Sequence, residues 1–202
     1  MNQNNTGRRS YLVTIGSAGL AALAGCSGQV SNAEDSDSTT VTEQWSFETG
    51  NRVISSPSVV DGTVYVGSDD SYVYALSAAD GTEQWSFTTG NRVYSSPTVV
   101  DDTVYVGSND NHVYALSAVD GTEQWSFETE SAVDSSPTVV NKTVYIGSND
   151  NHIYALSAAD GTEQWSVETG GRVTSSPAVM DGTVYFGSLD NHVYALSVTD
   201  GT

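Results

Sequence analysis

The residues best suited to chemistry recur at a fixed interval along this chain. Only four basic residues follow position 25, and three of them, Arg52, Arg92 and Arg172, occupy the same place in a repeated pattern. Arginines brought together in this way could hold a carboxylate or phosphate through forked hydrogen bonds. Alternatively, each arginine pairs with a nearby acid such as Glu48 or Asp61. The three arginines are therefore candidate ligand-binding residues, with local charge pairing as the simpler interpretation.

Histidines recur as well, at His112, His152 and His192. Three imidazoles could bind zinc, but each begins a different predicted strand, so we expect them to lie too far apart to share one ion. The Asn- and Asp-rich segments just before them lack the twelve-residue loop, with its glycine and closing glutamate, of a calcium site. Tight turns favour the same residue types. The sequence therefore predicts no metal site.

Catalytic arrangements are absent from the sequence. It contains no Ser/His/Asp arrangement and no phosphate-binding loop, and a tuned active site needs different residues on different repeats. One repeat does depart from the others: Glu130 and Asp134 stand where its neighbour has Gly90 and Tyr94. These two acids are candidate ligand-binding residues, with sequence drift as the alternative. Asn141 begins an Asn-Lys-Thr glycosylation sequon on a predicted turn. We expect no catalytic residue and no enzyme activity.

The interval that organises these residues is 40 positions long. It separates the four tryptophans Trp45, Trp85, Trp125 and Trp165 and four copies of Ser-Ser-Pro. A fixed period of this length is typical of propellers and solenoids. Within a repeat, apolar residues follow a period of two, which indicates strands. The predicted strands of one repeat are Pro97–Val100, Thr103–Ser108, His112–Ser117 and Glu123–Glu128. The sequence predicts an all-β propeller of four four-stranded antiparallel blades.

The ends of the repeat region, residues 43–202, suggest how the ring could close. The region begins with an outer strand, Glu43–Glu48, and ends just before the next outer strand would start. We expect the N-terminal strand to complete the last blade and so remove exposed sheet edges. The same ends would let two chains form an eight-bladed ring as a homodimer. A truncated gene product is the third alternative.

The net charge of the chain is strongly negative. The 6 Lys and Arg residues face 25 Asp and Glu residues, which gives a formal charge of −19. Because all 25 acids follow position 25, the remainder carries 4 basic residues and a charge of −21. Such a field repels nucleic acid and anionic lipid. It could serve a cation-binding surface or solubility in concentrated salt, and acids spread over every repeat favour the second interpretation and a halophilic source.

Residues 1–42 have the composition of an export and tethering segment. Arg8 and Arg9 lie in a stretch that resembles a twin-arginine signal, followed by a short apolar run that ends at the sole cysteine, Cys26. The residues before Cys26 resemble a lipobox. We predict a signal peptide over 1–25, a lipid anchor on Cys26, a disordered acidic linker over 26–42 and a location on the outer face of the cell membrane. A plain signal peptide with an incidental cysteine is the alternative.

One repeated segment also resembles a known family. Residues 75–85, Ala-Leu-Ser-Ala-Ala-Asp-Gly-Thr-Glu-Gln-Trp, look like the tryptophan-docking motif of pyrroloquinoline-quinone (PQQ)-type propeller repeats, and the resemblance extends over 43–202. It implies that each tryptophan packs on a neighbouring blade near the motif glycine, and that Trp45 closes the ring. The glycines concerned are Gly81, Gly121 and Gly161. In this chain Ser77 replaces the family's Asp and Asp80 replaces its Thr, as they do in the other copies.

The resemblance also frames the function. The family's quinone dehydrogenases are much longer, have eight blades, and hold PQQ against adjacent cysteines and a calcium ion. This chain has one cysteine, so we expect no cofactor. Other relatives bind partner proteins. The sequence therefore predicts a lipid-anchored, non-catalytic binding or scaffold module for a protein or small ligand. The alternatives are a PQQ-dependent quinoprotein oxidoreductase and a structural element of the envelope.

Overall fold

Each repeat folds into an antiparallel sheet whose strands run back and forth across the blade. The computed structural model describes residues 42–202. The predicted signal (Arg8 and Arg9), the anchor at Cys26 and nearly all of the linker lie outside the described residues. The strands of the first two blades are β1 (Ser58–Val60), β2 (Thr63–Gly67), β3 (Tyr72–Ser77), β4 (Glu83–Thr88), β5 (Thr98–Val100), β6 (Thr103–Gly107), β7 (His112–Ser117) and β8 (Glu123–Glu128).

The third blade repeats this order and the fourth has three strands. Their strands are β9 (Thr138–Val140), β10 (Thr143–Gly147), β11 (His152–Ser157), β12 (Glu163–Glu168), β13 (Ala178–Met180), β14 (Thr183–Ser188) and β15 (His192–Ser197). This arrangement confirms the predicted all-β fold of four antiparallel blades. Within residues 42–202, no helix is long and apolar enough to cross a membrane.

Two-residue hairpin turns set the register of each blade. Asp101 and Asp102, between β5 and β6, both have positive φ, at 49° and 58°. The same backbone recurs at Asp61-Gly62, Asn141-Lys142 and Asp181-Gly182. Positive φ at both central positions defines the type I′ turn, whose twist matches that of the flanking strands. The turns therefore place Val99 opposite Val104 in the ladder.

Neighbouring blades pack face to face through apolar side chains. Between blades one and two, Val73 and Trp85 of the first sheet lie against Val106 and Leu116 of the second, and all four are buried. Equivalent clusters join blades two to three and three to four. Because apolar residues cover both faces of a middle blade, each sheet needs a neighbour on either side to remove that surface from water.

Tryptophan docking fixes the spacing between blades. The indole of each outer strand packs on the turn glycine of the next repeat: Trp85 lies on Gly121 and Trp125 on Gly161. The Trp85 indole N–H also donates to the carbonyl of Ala118 at 3.0 Å. A side chain at the glycine would collide with the ring, and the glycine has φ of +73°, so this position favours glycine on two grounds.

The ring is not closed. Glu43–Glu48 is not a strand, and β15 has no fourth strand beside it. The prediction that the N-terminal segment completes the last blade is therefore wrong for the single chain. Trp45 instead docks on Gly81 of blade one and donates to the carbonyl of Ala78 at 3.0 Å. It follows the docking rule of the other tryptophans without closing the ring.

Candidate functional site

The linkers between blades gather most of the predicted site residues on one face. Each linker is tied by its backbone to two blades: the carbonyl of Arg92 accepts from the Asn109 N–H of blade two at 2.8 Å, and the Val93 N–H of the same linker donates to the carbonyl of Ser68 of blade one at 3.0 Å. The turns after β2, β6, β10 and β14 therefore lie beside the linkers. We call this surface the linker face; its residues are Arg52, Arg92, Ala132, Arg172, Asp69, Asn109, Asn149, Leu189, Glu130 and Asp134.

The three candidate arginines have different surroundings. Arg52 forms an ion pair with Asp69, with Nη2 2.8 Å and Nε 3.0 Å from the same carboxylate oxygen. Nη1 of Arg92 instead donates to the Tyr94 hydroxyl at 3.0 Å, and this bond, with a smaller contribution from Asp69, raises the pKa of Arg92. Arg172 is exposed and makes no ion pair among residues 42–202. Local pairing thus holds for Arg52, although its acid is neither Glu48 nor Asp61.

Buried oxygen atoms without hydrogen-bond donors also lie on the linker face. Among residues 42–202, four buried side-chain oxygens find no donor within the protein. They are Oδ1 of Asp69, Asn109, Asp134 and Asn149. Leaving a buried acceptor unpaired costs about 1–3 kcal/mol, and such groups cluster where a ligand or solvent completes the bonding. Asp69, Asn109 and Asn149 lie in the Asn- and Asp-rich segments that the sequence predicts to be tight turns, so residue type alone did not mark them as site residues.

Blade three is the irregular part of this face. Oδ2 of Asp134 accepts a hydrogen bond from Nδ2 of Asn149 at 2.8 Å. This bond orients the Asn149 amide, and Oδ1 of both residues is without a donor in the part of the chain that the structure describes. Glu130 is exposed, and only its backbone N–H is engaged, with Asp150 at 3.1 Å. The two acids singled out from the sequence therefore differ: Asp134 belongs to a partly buried polar pair, and Glu130 lies at the surface.

The aspartates of the same turns hold the blades together. Oδ2 of Asp110 accepts hydrogen bonds from the Tyr114 hydroxyl at 2.8 Å and from the Gly90 N–H at 2.6 Å. Asp70, Asp150 and Asp190 make the same pair of contacts. Burial, reinforced by Asp110, raises the pKa of Tyr114. These carboxylates are therefore engaged in structure.

The histidines stay within their own turns. Nδ1 of His112 lies 3.0 Å from the carbonyl of Asp110, and His152 and His192 repeat this contact with Asp150 and Asp190. No group of three or more His, Cys, Asp or Glu side chains is arranged to hold a metal ion in the part of the chain that the structure describes. Each imidazole therefore serves its own turn.

The opposite face carries the β-hairpin turns. A cleft of about 420 Å³ lies there between blades one and two, and its lining includes Tyr65, Val99 and Val119. Asn141 is exposed on the hairpin between β9 and β10, so a glycan there would point into solvent. None of the candidate arginines lines this cleft.

The comparisons with known proteins agree with this repeat geometry. A family model described as outer membrane protein assembly factor BamB, PQQ_2, matches residues 33–136 and 129–202. The chain belongs to the PQQ_2 family. No curated protein matches the sequence.

Solved structures resemble this PQQ_2 chain in fold. BamB from Moraxella catarrhalis superposes with a TM-score of 0.69 at 21% identity, over 77% of this chain and 50% of its own. The computationally designed Ika4 protein superposes with a TM-score of 0.68 at 18% identity, over 78% of this chain and 98% of its own. Quinohemoprotein alcohol dehydrogenase ADHIIG from Pseudomonas putida HK5 superposes with a TM-score of 0.69 at 22% identity, over 78% of this chain and 34% of its own. The chain thus spans half the length of BamB and about a third of the dehydrogenase.

The donor set does not fit the quinone chemistry of the dehydrogenases. Residues 42–202 contain no cysteine, so the adjacent cysteines that the resemblance to quinone dehydrogenases implies have no counterpart there. Two acids of the linker face are also engaged with neighbouring residues, Asp69 with Arg52 and Asp134 with Asn149. The described residues therefore offer neither the thiols nor the clustered carboxylates that PQQ and its calcium ion require.

Proposed function

We propose that this chain is an exported, lipid-anchored scaffold that binds a protein partner through its linker face and catalyses no reaction. Membership of the PQQ_2 family supports a binding role, because the family is described by an assembly factor. The near identity of the four blades supports the absence of catalysis, since a tuned active site needs dissimilar residues around it.

The observation that carries the proposal is the set of unpaired acceptors on the linker face. Oδ1 of Asp69, Asn109, Asp134 and Asn149 is buried and lacks a donor among residues 42–202. Because these atoms are buried, a partner that presents N–H or ammonium groups would complete these bonds as the turn side chains move toward it, and binding would then recover the cost of leaving them unpaired. Lysine and arginine side chains suit this chain further, because its charge after position 25 is −21.

The tether extends the proposal to location. A lipid on Cys26 followed by the acidic linker 26–42 would hold the blades at the outer face of the membrane with freedom to meet partners. The acidic surface would keep the protein soluble in concentrated salt, where its self-repulsion is screened. Replacing Cys26 with Ser should release the protein from membranes, whereas continued membrane association would contradict the anchor.

We also propose that the chain does not take up PQQ. Its described residues lack the cysteines that the resemblance to quinone dehydrogenases would require. Adding PQQ and calcium to the purified protein should give an absorbance spectrum equal to the sum of the separate spectra. A shifted quinone band that is retained after gel filtration would favour the oxidoreductase alternative.

Retention of envelope proteins in concentrated salt tests the scaffold role. Blade four already has Leu189 and Thr174 where blade three has Asn149 and Asp134, so the double variant N149L/D134T uses residues the fold accepts at those places. We expect this variant to lose at least about tenfold in partner retention. The matched control, Val119→Thr, copies Thr199 onto the hairpin face and should bind normally. Equal retention by both variants would overturn the proposal.

A further inference from the structure

The four blades end in an uncovered apolar face on β14 and β15. Val193 is 82% exposed, although its counterparts Val113 and Ile153 are fully buried at 0%. Tyr185 is 43% exposed, whereas its counterpart Tyr105 is buried at 4%. In the middle blades this face packs against the next sheet. The last blade therefore exposes an apolar face of the kind that packs between blades elsewhere, and no described residue covers it.

The segment Glu43–Glu48, before blade one, lacks a partner strand. Glu43–Glu48 reads Glu-Gln-Trp-Ser-Phe-Glu, and Glu123–Glu128 has the same six residues. The second copy is strand β8, paired with β7, while the first is not a strand. Identical sequence excludes a difference in propensity, so the difference lies in the missing partner strand. The first copy is nevertheless held in position, because Trp45 docks on Gly81.

Gly187 in the last blade and Val53 in the first linker each lack a contact that their counterparts make. In the first three blades, the glycine that ends the second strand is covered by a linker valine: Gly67 by Val93, Gly107 by Val133 and Gly147 by Val173. A Cβ built on Gly187 would find nothing nearer than Ser175 Oγ at 3.6 Å. Val53 is the counterpart of these linker valines in the first linker. It covers no glycine of the described residues and is 46% exposed.

We propose that these two ends join between two copies of the chain. Glu43–Glu48 of one copy pairs antiparallel with β15 of the other and supplies its fourth strand, and the reciprocal pairing closes the ring. The register follows that of β7 with β8. It sets Glu48 opposite His192, Phe47 opposite Val193 and Trp45 opposite Ala195. Val53 then covers Gly187.

The arrangement of the blades favours two copies. The repeats superpose on 50% of the BamB chain with a TM-score of 0.69, so they are arranged like half of a single-chain member of this fold. Two identical head-to-tail contacts close a ring when each copy spans half of the turn. Because both copies are strongly acidic, the dimer should form more readily as salt screens their repulsion.

Engineered disulfides test the pairing directly. In the full chain carrying Cys26→Ser, the double variant E48C/H192C should form a covalent dimer on oxidation in concentrated salt, because cross-strand neighbours lie within disulfide range. The matched variant H112C/E128C has the same register inside blade two and should form its disulfide within one chain. A monomer bridged by E48C/H192C, or no bridge when the control forms one, would overturn the proposal.

Solution mass provides a second readout that does not need thiols. Val193 and Val119 are 82% and 80% exposed, so Asp at either position should leave the fold of one chain intact. Val193→Asp would bury a charge in the dimer and should weaken association on the order of a hundredfold. Val119→Asp should not change the mass. A wild-type chain that stays monomeric at every salt and protein concentration would also overturn the proposal.

Discussion

The indole of Trp125 lies directly on Gly161, the turn glycine of the following repeat. A Cβ on Gly161 would come within 2.6 Å of Cε3 of the ring, and the indole N–H donates to the carbonyl of Ala158 at 3.0 Å. This contact recurs at the other junctions between blades, with Trp85 on Gly121 and Trp165 on Gly201, and the N-terminal segment repeats it with Trp45 on Gly81. The spacing of the blades therefore depends on a residue without a side chain.

Replacing Gly161 with Ala should destabilise the protein by about 2–4 kcal/mol, because a positive φ and a collision with Trp125 act together. Gly62 separates the two effects, since its φ is +76° and nothing lies within 4 Å of a Cβ built there. Gly62→Ala should cost only about 1 kcal/mol. Denaturant unfolding of both variants measures the difference, and equal costs would contradict the docking role.

The Arg52–Asp69 pair predicts that the three linker arginines are not equivalent. The Asp69 side chain is 1% exposed, so Arg52→Gln removes the cation beside a buried carboxylate and should cost about 1–2 kcal/mol. Arg172 is exposed, and Arg172→Gln should change stability by less than about 0.5 kcal/mol. Unfolding free energies in one fixed salt concentration compare the variants. A greater cost at Arg172 would contradict this account of the linkers.

The aspartates that precede the docking glycines predict a loss of stability in acid. Hydrogen bonds from Thr122 and Ser117 lower the pKa of Asp120, and Asp80, Asp160 and Asp200 are lowered similarly. Since the folded pKa lies below the unfolded value of about 3.9, this stability is present above that value and is lost as pH falls through the folded pKa. Asp120→Asn should therefore be less stable than wild type at pH 7, and the difference should shrink as pH falls below the unfolded value and through the folded pKa. Thermal unfolding across this range tests the sign.

Two tyrosines of blade two should respond unequally to loss of the hydroxyl. The Tyr114 hydroxyl donates to Asp110 at 2.8 Å, so Tyr114→Phe should cost about 1–2 kcal/mol by removing a donor from a carboxylate. The Tyr105 hydroxyl donates to the carbonyl of Ala158, which also receives the Trp125 N–H. Tyr105→Phe should therefore be nearly neutral. Chemical denaturation distinguishes them, and a larger loss at Tyr105 would count against this ranking.

Local structure was readable from the sequence because its causes are local. Strands β7 and β8 have the predicted bounds, and the predicted Pro97–Val100 begins one residue later, at Thr98. Hairpin dipeptides and the 40-residue period determine these elements. The conformation of Glu43–Glu48 could not be predicted from its sequence, since the same hexapeptide forms strand β8 and is not a strand here. Its conformation depends on which strand lies beside it.

The chemistry of the linker face was only partly predictable. Period and residue type identified Arg52 as a site candidate, but its true partner, Asp69, is 17 residues away on a turn. The acceptors of Asn109 and Asn149 were hidden because Asn is common in tight turns. What distinguishes them is burial without a donor, which arises only when linkers and turns of adjacent blades come together.

The central claim, that partners bind on the linker face, is tested most directly by site-specific photo-crosslinking in envelope extract at high salt. A crosslinking residue at Glu130, which is exposed on that face, is compared with one at Val119, which is 80% exposed on the hairpin face. We predict a discrete protein adduct from position 130 and none from position 119. Adducts from position 119 alone, or the same adducts from both positions, would contradict the claim.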